Sequence, residues 1–108
     1  MKILAVGDIV GEGGIQKLKI VLPKFKQEEQ IDFIITNGEN AAGGMGITEK
    51  NYKDILAAGT DVVTLGNHTW SKKDIFKFID EPRIIRPANY TPGLPGKVIQ
   101  FKNVKVKT

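Results

Sequence analysis

The sequence predicts an α/β fold: a parallel βαβαβα unit followed by a short β-hairpin. Three observations predict it. Short apolar runs rich in β-branched residues recur at residues 2–7, 32–37 and 61–66. Between them, apolar residues fall at helical spacing. After a proline-rich loop, residues 86–96, the pattern changes to short alternating runs. Strands that alternate with helices are the signature of a parallel sheet with right-handed crossovers.

Each element has its own signal. The first run is bounded by Gly7-Asp8, and the second reads Asp-Phe-Ile-Ile-Thr-Asn. The third reads Asp-Val-Val-Thr-Leu-Gly. All three are too short for helices, and their near-continuous apolar character predicts strands buried on both faces. Ile15, Leu18, Val21, Leu22 and Phe25 lie at helical spacing after Gly13-Gly14, and Pro23 is expected to kink that helix or open a second segment. Thr48 is the expected N-cap of a helix with Tyr52, Ile55 and Leu56 inward, stopped at Gly59. Ser71, with Asp74 three residues on, resembles a capping box. It opens a helix through Ile75, Phe76, Phe78 and Ile79 that ends before Pro82. Residues 98–101 and 104–106 flank Lys102-Asn103 as the arms of a tight hairpin.

Composition narrows the function classes. The chain has 108 residues, the size of one small domain, with ordinary globular proportions of apolar and charged residues. The absence of cysteine excludes disulfides, thiolate metal sites and cysteine nucleophiles, and fits a reducing, cytoplasmic setting. No apolar run is long enough for a signal-peptide core or a membrane span. The net charge is +4, but residues 1–96 balance at 12 basic against 12 acidic side chains. The excess is Lys97, Lys102, Lys105 and Lys107, the pattern of a guarded strand edge. No aromatic residues interleave with basic ones as a nucleic-acid stacking platform requires, so nucleic acid is not an expected partner.

In open parallel sheets, ligands bind outside the carboxyl ends of the strands. Here each strand ends in a polar cluster: Gly7-Asp8, then Asn37-Gly38-Glu39-Asn40, then Gly66-Asn67-His68. If the strands are neighbours, Asp8, Glu39, Asn40, Asn67 and His68 meet in one crevice. Two carboxylates, two amide oxygens and an imidazole suit hard or borderline divalent cations such as manganese, iron(II) or magnesium. Glu39 has two oxygens with which to bridge two ions. Two metals about 3.5–4 Å apart can hold a hydroxide nucleophile and clamp a phosphoryl group. Taken singly, each residue also has an ordinary role. Asp8, Asn40 and Asn67 are common turn residues, Glu39 reads equally as a solvated side chain, and a lone histidine is often structural. Their joint placement at three strand ends favours a site. Residues 7–14 match neither a Walker A loop nor a GxGxxG fingerprint and read as a turn. The glycine-rich residues 41–46 either line the substrate path or merely connect.

Four motifs then resemble one family. These are Gly7-Asp8-Ile9-Val10-Gly11, Asn37-Gly38-Glu39-Asn40-Ala41-Ala42-Gly43-Gly44, Leu65-Gly66-Asn67-His68-Thr69-Trp70 and Arg86-Pro87-Ala88-Asn89-Tyr90. In order and spacing they resemble the YmdB-like bacterial metallophosphoesterases of the calcineurin-like superfamily. The resemblance implies a two-metal site, iron or manganese ahead of magnesium, that hydrolyses cyclic nucleotides, notably 2′,3′-cyclic ones. Carried over by position, it makes Asp8, Glu39, Asn40 and Asn67 metal ligands, with Glu39 bridging, and His68 the proton donor to the leaving oxygen. It also implies a longer chain, whose C-terminal half adds histidine ligands and a second sheet. Residues 1–108 would then be one partial domain, about half of an αββα sandwich. Self-association, or a second chain completing the fold, is the expected consequence. The alternatives are a truncated, non-catalytic remnant with weak metal affinity, or a nucleotide-binding α/β domain without hydrolysis.

Overall fold

The computed structural model describes residues 1–106. Lys107, the last lysine of the basic tail, and Thr108 lie outside them. Four strands form one parallel sheet in the order β1 (Ile3–Val6), β2 (Phe33–Asn37), β3 (Val62–Thr64) and β4 (Ile84–Ile85). Ile3 to Val6 pair with Phe33 to Thr36, and Ile35 to Asn37 pair with Val62 to Thr64. Val63 and Thr64 pair with Ile84 and Ile85. Because the strands are parallel and sequential, the residues after β1, β2 and β3 all emerge on one edge.

The same order explains which face is covered. Crossovers of one hand between strands laid down in one direction put every connection on the same side. That side holds the core, where Ile34, Thr36 and Val63 are buried and Leu4 and Val6 pack against the cluster. On the opposite face, β1 and β2 alternate outward, with Phe33 and Ile35 only partly buried, whereas Val62 of β3 is buried on that side too. Ile3 is 55% exposed. On this second face a groove of about 340 Å³ is lined by Ile3, Phe33, Ile35, Val62 and Ile85, with Gln100 and Val104 along its side.

The first helix, α1 (Gly11–Glu28), runs as one continuous element with Pro23 inside it, so no second segment begins there. Ile15, Leu18 and Leu22 are buried, whereas Val21 and Phe25 stay on the exposed rim. The second helix, α2 (Glu49–Ala57), starts as the sequence indicates. Thr48 Oγ1 accepts the Asn51 N–H at 3.1 Å and Asn51 Oδ1 accepts the Thr48 N–H at 3.0 Å, a reciprocal capping box. Tyr52 and Ile55 are buried, and the chain leaves the helix through Gly59 at φ +122°.

The third helical segment differs from expectation. It is a short 3₁₀ turn, Lys73–Lys77, and Ser71 does not cap it. The Asp74 carboxylate is engaged elsewhere: it accepts the Glu49 N–H at 2.6 Å and pairs with Lys77 at 2.8 Å. Lys77, and then the Glu49 amide, hold the Asp74 carboxyl below the usual carboxylate range. Ile75, Phe78 and Ile79 still fill the core, and Phe78 stacks on Tyr52 at 5.2 Å.

The expected hairpin is also corrected, because residues 98–106 form no strand. This segment is held by side chains rather than by a ladder. Gln100 Nε2 donates to Ile84 O at 2.9 Å, and Lys102 Nζ donates to Pro82 O at 2.6 Å. It leaves Ile99 and Phe101 outward, Phe101 at 94% exposure. No helix among the described residues is long and apolar enough to cross a membrane.

Candidate metal centre at the carboxyl edge of the sheet

The loops after β1 and β2 are joined by backbone bonds. The Ile9 N–H donates to Asn37 O and the Gly11 N–H to Asn40 O, each at 3.2 Å. This brings Asp8 against Asn40, whose Nδ2 donates to Asp8 Oδ1 at 2.7 Å. The Asn40 amide nitrogen thereby orients the carboxylate and leaves Asn40 Oδ1 buried with no hydrogen-bond partner. An orphaned buried carbonyl oxygen is costly unless something electropositive meets it.

The loop after β2 also meets the loop after β3. The Gly38 N–H donates to Thr64 O at 2.9 Å. A Cβ on Gly38 would stand 2.9 Å from Val63 Cγ1, so only glycine lets the two loops close. Glu39 Oε2 accepts the His68 backbone N–H at 2.9 Å. The carboxylate lies flat against Gly66, where a Cβ would overlap both of its oxygens. Residues 41–46 are a bonded turn: the Ala42 N–H donates to Gly46 O and the Gly44 N–H to Asn40 O, each at 2.9 Å.

Asp8 thus pairs with Asn40, and Glu39 with the His68 backbone, and the two pairs are joined along the chain through the consecutive residues Glu39 and Asn40. Asn67 sits exposed at the tip of the adjoining turn. The His68 ring has its Nδ1 3.3 Å from Ser71 Oγ. Ser71, read from sequence as a cap, is therefore a histidine partner. Two other residues near the site have no simple sequence signal. Asn37 Oδ1 is a second buried acceptor without a partner, and the Tyr90 hydroxyl donates to Gly66 O at 3.0 Å.

Oxygen donors from two carboxylates and an orphaned amide carbonyl fit a hard divalent cation. The set is small. Among the described residues, no three His, Cys, Asp or Glu side chains gather as a metal-binding group. The reason is visible in the contacts, because the carboxylates are interleaved with asparagines and the only imidazole turns to Ser71. A cavity of about 840 Å³ lies at the opposite, amino-terminal edge of the sheet, lined by Lys26, Gln30, Asp32 and Asp61 among others. Its carboxylates serve the backbone instead: Asp32 accepts the Lys2 N–H at 2.7 Å and Asp61 the Ile34 N–H at 2.8 Å.

Comparison with known proteins shows which family the chain resembles. A Bacillus subtilis protein named 2′,3′-cyclic-nucleotide 2′-phosphodiesterase is 50% identical over 102 residues, covering 94% of this chain and 39% of that protein. A putative phosphatase/phosphodiesterase of Mycoplasma genitalium is 37% identical over 82% of this chain and 32% of its own length. The crystal structure of a hypothetical protein from Thermus thermophilus superposes with a TM-score of 0.84 at 39% identity, covering 90% of this chain and 38% of that one. A phosphatase structure from Mycoplasma pneumoniae gives the same TM-score at 32% identity, covering 94% and 39%. The chain spans about two fifths of the length of the relatives it matches most fully. Residues 4–108 match the model of the YmdB-like proteins, and with the loops joined as described the chain belongs to that family.

Proposed function

We propose that this chain is the N-terminal part of a metal-dependent phosphodiesterase acting on cyclic nucleotides, notably 2′,3′-cyclic ones, in the cytoplasm. Residues 1–108 form one partial domain in this reading. The observation that carries it is the orphaned Asn40 Oδ1, buried beside a carboxylate that its own amide nitrogen holds in place. The kinship with a protein named for this activity supports the substrate class.

Asp8, Glu39, Asn40 and Asn67 would hold the divalent ions, iron or manganese, with Glu39 supplying two carboxylate oxygens. When bound, such ions supply positive charge at the phosphoryl oxygens and make water acidic enough to attack at neutral pH. The chain's own residues do the rest. Asn40 keeps Asp8 aimed. The His68 N–H keeps one Glu39 oxygen fixed. The His68 imidazole, steadied by Ser71, delivers a proton to the ribose oxygen as its bond to phosphorus breaks. A ribose alkoxide leaves poorly, so that proton matters.

The test is hydrolysis of 2′,3′-cyclic AMP with Mn2+. The chain is assayed alone and mixed with the part of the Bacillus relative beyond the matched residues, supplied as a separate polypeptide. Manganese-dependent release of the phosphomonoester is expected in the mixture and only weakly, if at all, from the chain alone. No Mn2+ affinity and no hydrolysis in either sample would sink the reading. A second reading, a metal-binding chain without catalysis, is favoured by the sparse donor set. It requires Mn2+ binding with no turnover in the mixture.

We also infer that the isolated chain self-associates. Ile3, which lines the open groove on the second sheet face, and Ile99 and Phe101, on the segment whose Gln100 and Lys102 line it, are each more than half exposed. Apolar patches above a few hundred Å² rarely stay bare on soluble monomers. Sedimentation velocity should show mass rising with concentration, and a concentration-independent monomer would contradict the inference.

A further inference from the structure

The motif Arg86-Pro87-Ala88-Asn89-Tyr90 supplies no metal ligand and no proton donor in this reading, yet it is built with unusual care. Arg86 is 9% exposed, and its guanidinium donates to three carbonyls: Pro95 O at 2.7 Å, Pro87 O at 3.0 Å and Leu94 O at 3.1 Å. All three belong to the loop that Arg86 itself begins. The Arg86 N–H donates to Lys97 O at 2.9 Å, so the loop closes on its own base. A buried guanidinium satisfied by carbonyls of one loop fixes the shape of that loop. Gly96 completes the closure. It lies at φ +97°, packed on Ile79 and Arg86 Cδ, and its N–H donates to Asp80 Oδ1 at 3.0 Å.

What this closed loop presents is Tyr90. Its hydroxyl donates to Gly66 O at 3.0 Å, across 24 residues of sequence. The ring is held edge-on by Trp70 at 5.9 Å, and Trp70 is stacked on Phe76 at 5.7 Å. Two other donors reach the same carbonyl, Thr69 Oγ1 at 2.6 Å and the Thr69 N–H at 3.1 Å. Thr69 travels with the turn it bonds and cannot anchor that turn to anything else. Tyr90 comes from a separate loop and can.

The consequence follows from peptide planarity. Fixing the Gly66 carbonyl fixes the plane of the Gly66–Asn67 peptide and hence the start of Asn67. The next amide is the His68 N–H, which meets Glu39 Oε2. We propose that Tyr90, on the loop closed by Arg86, is a positioning residue. It sets the turn at residues 66–68 so that Asn67 and His68 stand correctly and the Glu39 carboxylate keeps its partner. The proposal deepens the functional reading above, and it rests on that reading for the roles of Asn67, His68 and Glu39.

Tyr90→Phe tests it, because the ring and its contact with Trp70 remain and only the hydroxyl is lost. Two readouts are taken on the intact chain: amide hydrogen exchange by NMR, and Mn2+ affinity. Exchange at His68 and Thr69 should accelerate about tenfold, the effect of one lost hydrogen bond. Ile34 and Val63 in the sheet centre should keep their protection. Mn2+ should bind about tenfold more weakly, as when an outer partner of a ligand is removed. Unchanged exchange at His68 and Thr69 would overturn the proposal. Equal acceleration at Ile34 and Val63 would also overturn it, because the hydroxyl would then serve global stability only. No Mn2+ affinity in the wild-type chain, either alone or complemented as above, would sink the metal reading of the site, while the exchange data would still decide the positioning role.

Discussion

Glu39→Ala and Asp8→Ala are expected to strip the candidate centre of metal, weakening Mn2+ binding by more than the roughly 10–100-fold typical of lost outer partners. Each removes a carboxylate that would bind directly, and among the described residues no group of three His, Cys, Asp or Glu side chains gathers to replace it. The two losses should differ in kind. Without the Glu39 carboxylate, the His68 N–H loses its acceptor and the turn at residues 66–68 loosens. Asp8→Ala instead frees the Asn40 amide nitrogen and leaves the Glu39 side untouched. Glu39→Gln separates charge from shape, since its Oε1 can still accept the His68 N–H while the negative charge is gone. If Mn2+ affinity falls as far in Glu39→Gln as in Glu39→Ala, charge is the operative property. Manganese electron paramagnetic resonance reads the affinity, and a thermal melt on the same samples shows that folding is intact. Undiminished Mn2+ binding in both alanine variants would remove these carboxylates from the site. Gly66→Ala should follow Glu39→Ala, because its methyl group would occupy the space of the carboxylate.

How much of this is legible in sequence depends on the range of the interaction. The first three strands are visible because β-branched runs between turn residues carry a local signal, and their parallel order follows from the helices between them. That order alone puts Asp8, Glu39, Asn40 and His68 on one edge. The fourth strand is not legible. Ile84-Ile85 is two residues long between Pro82 and Pro87, too short to show a period. The third helix misleads because Ser71 and Asp74 have the spacing of a cap, yet each finds a better partner in space: His68 for one, Glu49 and Lys77 for the other. The alternating run after residue 97 has strand composition but forms no ladder among the described residues, and side-chain bonds from Gln100 and Lys102 tie it to Ile84 and Pro82. Within the site, the residue types are legible but the pairings are not. That His68 serves Glu39 through its backbone N–H and Ser71 through its ring depends on turn geometry that no spacing rule encodes. Tyr90 is the same case at longer range, recognisable in sequence only as part of a motif.

His68→Ala should give the opposite signature to the carboxylate variants. In the complemented enzyme described above, metal content should stay near wild type while turnover of 2′,3′-cyclic AMP falls about 10²–10⁴-fold, the usual contribution of a general acid. The backbone explains why metal is retained. The contact from His68 to Glu39 runs through the amide N–H, which alanine keeps, so the carboxylate should not move. What alanine removes is the imidazole, the chain's only one, along with its contact to Ser71. Changing the leaving group isolates the role. A bis(nitrophenyl) phosphodiester expels a nitrophenolate that needs little protonation, so the same variant should lose far less activity on it than on the cyclic nucleotide. Ser71→Ala gives an intermediate case, with the imidazole present but less restrained, and should cost about tenfold or less on the natural substrate class, the worth of one hydrogen bond. Equal losses on both substrates at full metal occupancy would remove His68 from proton donation and leave it a binding role. Loss of metal in His68→Ala would mean that the imidazole, rather than the amide, is what the centre uses.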